Sequence, residues 1–131
     1  MDQTMLFYTT VPILIGGSPR TAGRLAARLY ARHGVRIHWF GEGWHPLLLV
    51  YTKRHPVSVS LTEANDRVWI HLLQGFEKQQ RHIGGIPCLI PISEEARLFL
   101  ERTRDFLEER FVILGTAEEE EDPLYGLVHS H

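Results

Sequence analysis

The chain has 131 residues, 44% of them hydrophobic and 23% charged, with a formal net charge of -2, which is the size and make-up of one ordinary globular domain. The charge argues against a dedicated nucleic-acid binder, and no apolar run approaches the length of a membrane span. Cys88 is the only cysteine, so an intramolecular disulfide is excluded, and its apolar neighbours suit an inert buried thiol. The N-terminus lacks a basic segment followed by a small-residue cleavage site, so a cytoplasmic location is expected.

Residues up to Thr10 read as an arm or an edge strand. Val11, Ile13, Leu14 and Ile15 then form an apolar run that stops at Gly16-Gly17, followed by Ser18 and Pro19. Such a run suits a buried strand, and Gly-Gly suits a turn that a side chain would obstruct. Ser18 is an expected N-cap, with Pro19 at the first helical position, where its missing N–H costs nothing. Ala22, Leu25, Ala26, Leu29 and Tyr30 recur at helical spacing as far as His33-Gly34. Arg20, Arg24, Arg28 and Arg32 run along the same helix four residues apart, a solvated face or a surface for an acidic partner such as Glu118–Asp122.

Val35, Ile37, Trp39 and Phe40 predict a second strand, ending in a Gly41-Glu42-Gly43 loop. Strand, helix and strand in close succession is a βαβ unit and implies a parallel sheet. Pro46 followed by Leu47–Val50 is read as a short helix. Val57, Val59 and Leu61 alternate with Ser58 and Ser60, the pattern of a third strand. Asn65 is the expected cap of a helix bearing Val68, Trp69, Leu72, Leu73 and Phe76, with Gly75 a weak point inside it. After Gly84-Gly85, residues Ile86–Ile90 predict a buried strand, and Ser93 caps a helix with Ala96, Phe99 and Leu100 inward. A break near Thr103, re-capped by Asp105, leads to a last strand at Phe111–Leu114. The expected fold is a three-layer α/β/α sandwich with a mainly parallel, Rossmann-like sheet of four or five strands ordered near 3-2-1-4. Residues 1–115 form the domain and 116–131 an acidic C-terminal tail.

Adjacent first and fourth strands would place the Gly16-Gly17-Ser18 and Ser93-Glu94 turns across a crevice at the topological switch point. Helix N-termini there favour an anionic ligand, with Arg20 as a bidentate contact and Glu42 placed for a ligand hydroxyl. The candidate ligand-binding set is Gly16, Gly17, Ser18, Arg20, Glu42, Ser93 and Glu94. A plainer reading lets Gly16-Gly17 serve only a tight turn and Gly23 only a close approach of helix to sheet. The spacing of the glycines at 16, 17 and 23 matches neither a G-x-G-x-x-G fingerprint nor a P-loop. The eight histidines include no H-x-x-x-H pair, so no metal site and no catalytic constellation is expected. Trp39, Trp44 and Leu47–Val50 carry an apolar load that suggests a homodimer surface.

The segments PILIGGSPRTAGRLAARLYARHGVRIHWFG and GIPCLIPISEEARLFLERTRDFLEERFVIL together resemble the two ends of the pre-ATP-grasp domain. That domain precedes the ATP-grasp fold in carboxylate-amine ligases and carbamoyl-phosphate-synthase-like proteins. The resemblance implies a Rossmann-like module on the acceptor-substrate side of a ligase cleft. The sequence carries no ATP-grasp domain after it, so no cofactor is expected and the chain is not expected to be catalytic alone. It would bind a small anionic ligand or a separate ATP-grasp subunit. A shorter match, Gly16-Gly17-Ser18-Pro19-Arg20, resembles the phosphate loop of flavodoxin-like, NADPH-dependent FMN reductases and implies FMN as the alternative ligand.

Overall fold

The computed structural model describes residues 10–115. Its strands are β1 (Thr10–Ile15), β2 (Ile37–Gly41), β3 (Thr52–Pro56), β4 (Ile86–Pro91) and β5 (Val112–Ile113). The helices are α1 (Pro19–His33), α2 (Pro46–Tyr51), α3 (Asp66–His82), α4 (Glu94–Arg102) and α5 (Arg104–Leu107). All strand pairs are parallel and the sheet order is β3-β2-β1-β4-β5. This is the α/β class read from the sequence, with a wholly parallel sheet.

Alternation along β1 sorts the core into two layers. Ile13 and Ile15 face a cluster with Phe40, Trp69, Leu73, Phe76, Phe99 and Leu107, from β2 and helices α3–α5. Leu14 faces the other side, with Leu25, Leu29, Trp39, Leu48 and Cys88. Both faces are therefore covered, as a parallel sheet requires.

The helix starts follow their local chemistry. Ser18 Oγ accepts from Thr21 N at 3.1 Å, with Pro19 in the first turn. Ser93 Oγ accepts from Ala96 N at 3.1 Å, and Gly34, at φ 68°, closes α1 by donating to Tyr30 O. Asn65 departs from expectation: its side chain makes no capping bond and instead donates to Ser60 O and Thr62 Oγ1. Thr103 marks the break between α4 and α5 by donating its hydroxyl to Phe99 O at 2.7 Å. Asp105 sits in the first turn of α5, which has no side-chain cap.

The third strand is displaced from its predicted place. It is Thr52–Pro56, whereas Val57–Leu61 is a loop that contributes buried Val57 and packs Val59 and Leu61 onto the core. Alternating burial reports which side chains turn inward, not which backbone groups pair, and this loop satisfies the first condition alone. β3 escaped detection because Lys53, Arg54, His55 and Pro56 make it polar, as edge strands often are. Gly23 is also reassigned, since a Cβ there would stand 2.8 Å from Leu47 Cβ. It permits α1 to approach α2, not the sheet.

The expected arm before Thr10, the acidic run Glu118–Asp122, and His129 and His131 lie outside the described residues.

Candidate functional site

β1 and β4 lie side by side, with Ile15 paired to Pro91. The turns that leave them therefore meet. In the β1–α1 turn, Gly16 and Gly17 have φ of +77° and +72°, a region costly for any other residue. A Cβ on Gly16 would stand 2.9 Å from Leu61 Cδ1, 3.0 Å from Ser93 Oγ and 3.1 Å from Ala96 Cβ. One on Gly17 would stand 2.8 Å from Ile92. Glycine is thus required here twice over, by dihedral angle and by the proximity of the β4–α4 turn.

Trp39 fixes this turn from beneath. Fully buried on β2, it donates Nε1–H to Gly16 O at 2.8 Å, while Gly16 N donates to Phe40 O at 2.9 Å. With both polar groups of Gly16 bound, the turn is held at a fixed height over the strand ends. Trp39, expected to add to a surface apolar patch, is fully buried and does not belong to one, and Leu48 is buried as well. Trp44, Leu49 and Val50 are the exposed members.

The two turns border a crevice of about 280 Å³. Gly16, Gly17 and Ser18 form one wall and Ser93 the other, with Glu42 at the exit of β2. The structure thus brings together five of the seven predicted residues. Arg20 is exposed and does not line the crevice. Glu94 does not line it either, because Arg97 holds its carboxylate by two bonds of 2.6 and 3.0 Å. That pairing lowers the Glu94 pKa, through the Arg97 hydrogen bond first.

Gly41, Ser60, Leu61, Trp69 and Glu95 complete the lining and lie outside the set expected from the sequence. Glu95 follows Glu94 in a turn whose sequence favours acid at either position, so only the helical phase distinguishes them. Ser60 and Leu61 arrive through the loop mistaken for a strand. The crevice consequently carries two carboxylates, three serines and no basic side chain. Any anion in it must rest on backbone N–H groups and hydroxyls, whereas Glu42 and Glu95 call for hydrogen-bond donors on the same ligand.

Cys88 is buried, with its thiol pushed up to about 12 by desolvation, so it has no nucleophilic part at neutral pH. Among the described residues no group of three or more His, Cys, Asp or Glu is placed to hold a metal ion. No helix among them is long and apolar enough to cross a membrane.

The class defined by this geometry is a doubly wound, wholly parallel α/β fold with a Rossmann-like switch-point crevice. No family model, curated protein or solved structure matches the chain.

Proposed function

We propose that the chain is a stand-alone, pre-ATP-grasp-like module whose switch-point crevice binds a small ligand bearing both an anionic group and hydroxyl or ammonium donors. It works with a separate ATP-grasp subunit and is not catalytic alone. The observation that carries the binding reading is the meeting of two serine-capped turns, at Gly16-Gly17-Ser18 and Ser93, beside Glu42 in one crevice. Parallel α/β sheets hold ligands at such a position. The pre-ATP-grasp part rests on the resemblance of the two flanking segments. FMN is the competing ligand, and the position of Arg20 off the crevice wall weighs against an embrace of its phosphate.

Amide-resolved NMR titration with ribose 5-phosphate, inorganic phosphate, L-aspartate and FMN tests the binding reading. Ribose 5-phosphate, which pairs an anion with hydroxyls, is expected to shift Gly17, Ser18 and Ser93 more than phosphate does. Glu42→Gln should weaken it, and Arg20→Ala should leave it unchanged. Indifference of those amides to every probe overturns the site, and an FMN response alone selects the reductase reading. For the partner, tagged chain recovered from its source cell is expected to carry an ATP-grasp protein; recovery without one counts against the split-ligase role.

A further inference from the structure

The helices do not reach equally far over the two faces of the sheet. α1 and α2, on the face of Leu14 and Trp39, connect β1, β2 and β3, whereas α3, α4 and α5 all pack on the opposite face with Ile13 and Leu89. No described helix is left to cover β5 on the α1 face. The strand register shows which side chains lie there. Val112 pairs with Cys88, a member of the α1-side cluster, and Ile86 shares that face by alternation along β4. Val112 is 40% exposed and Ile86 50%. Leu114, next on the same face, packs against the α1-side cluster while its N–H donates to Leu89 O at 3.0 Å. The chain therefore leaves the sheet from the half-covered side of an apolar strip.

The sequence that follows suits this place. Residues 118–122 are four Glu and one Asp, and Leu124, Tyr125, Leu127 and Val128 come after Pro123. On α1, Gly23 marks the flank that meets α2, at Leu47. At about 100° per residue, Arg28 and Arg32 stand about 140° and 180° round the helix from Gly23. Because α2 lies toward β3, that opposite flank is turned toward β4 and β5. Acidic chain leaving β5 thus meets a basic flank. Glu118 and Asp122 lie four and eight residues past Leu114, a reach of about 13–26 Å when extended. Two strand spacings across the sheet and one layer upward come to about 14 Å, so the reach is sufficient. The residues before Thr10 also include apolar side chains, but their only acid is Asp2, and they match the strip without matching the arginines.

We propose that residues 116–131 cover this face, with the acids of residues 118–122 against Arg28 and Arg32 of α1 and with Leu124, Leu127 and Val128 over Ile86 and Val112.

The test is methyl-resolved NOE spectroscopy on the full chain at pH 7, in a sample mixed from two differently labelled pools. Contacts within one chain are expected from the methyls of Leu124, Leu127 or Val128 to those of Ile86 and Val112. Leu127→Asp should keep the fold and weaken those contacts at least threefold. Glu118→Gln, Glu119→Gln, Glu120→Gln, Glu121→Gln and Asp122→Asn, combined, should shift the Nε–H resonances of Arg28 and Arg32. The proposal is overturned if Ile86 and Val112 show no contact with residues 124–128, or if their contacts come from residues 5–8 instead. It is equally overturned if the contacts run only between differently labelled chains, which makes a second copy the occupant, or if the arginine resonances stay unmoved in the neutralised variant.

Discussion

Two cavities border the end of β2, one at Gly41 and Glu42 and the other, of about 410 Å³ between β3 and α3, at Phe40, and their linings differ in charge. The switch-point crevice is lined by Glu42, Glu95 and three serines without a base. The cavity over β3 is lined by Arg54, His55 and His71 on an aromatic floor, without an acid. Their glycines differ as well. Gly16 and Gly17 are imposed by positive φ and by contact with the facing turn, whereas Gly75 is exposed on α3 with open space beside it. A glycine demanded by the backbone testifies to the fold. One exposed on a helix, with open space beside it, carries no such demand.

Substitution at Gly16 should give the largest effect that sharpens this contrast. Gly16→Ala combines a left-handed backbone with a Cβ inside contact distance of Leu61, Ser93 and Ala96, and a loss of about 2–4 kcal/mol is expected from strain and overpacking together. Urea denaturation measures it; an unchanged midpoint would show that the turn is not rigid. Trp39→Phe comes next. It leaves Gly16 O without its buried donor and removes part of a fully buried ring, for a loss of about 2–3 kcal/mol. Faster amide exchange at Gly17 than in wild type should accompany it.

The aromatic floor of the second cavity makes stability depend on pH. Desolvation, followed by the charges of His55 and Lys53, holds His38 at about 4, and desolvation likewise lowers His55. His38 is then more protonated in the unfolded chain than in the fold at any pH from about 6.5 down toward 4, and the lowered His55 acts in the same direction. Stability contributed by the neutral pair is therefore present above about 6.5 and is lost as the pH falls through that window. Discounted for the partial exposure of both rings, the His38 contribution is about 1–2 kcal/mol. Chemical denaturation at pH 7 and pH 4.5 should show this loss, and His38→Phe should reduce it. The smallest effect is expected of Gly75→Ala, a gain of up to about 1 kcal/mol from helix propensity. A loss there would mean that the glycine serves the fold after all.

Much of this architecture was legible in the sequence because backbone chemistry writes itself locally. Gly16-Gly17-Ser18-Pro19 and Ser93 mark strand-to-helix turns whatever surrounds them, and the apolar runs before them mark strands buried on both faces. Polar β3 had no such signature, and neither did the loop at Val57–Leu61, whose alternation arises from packing beneath α3. In the crevice, the turns were legible and the charges were not. Whether Arg20 or Glu95 faces the ligand depends on helical phase relative to a neighbouring element, which no single segment encodes. The aromatic floor joins His38 and Phe40 of β2, His55 of β3 and Phe76 of α3. It becomes visible only once β3 is placed.

The most direct test of the crevice is one amide-resolved titration with ribose 5-phosphate, compared with inorganic phosphate. The account predicts that ribose 5-phosphate moves Gly17, Ser18 and Ser93 more than phosphate does and leaves His55 and Phe76 unmoved. No shift at those three amides, or shifts confined to amides outside the crevice, would contradict it.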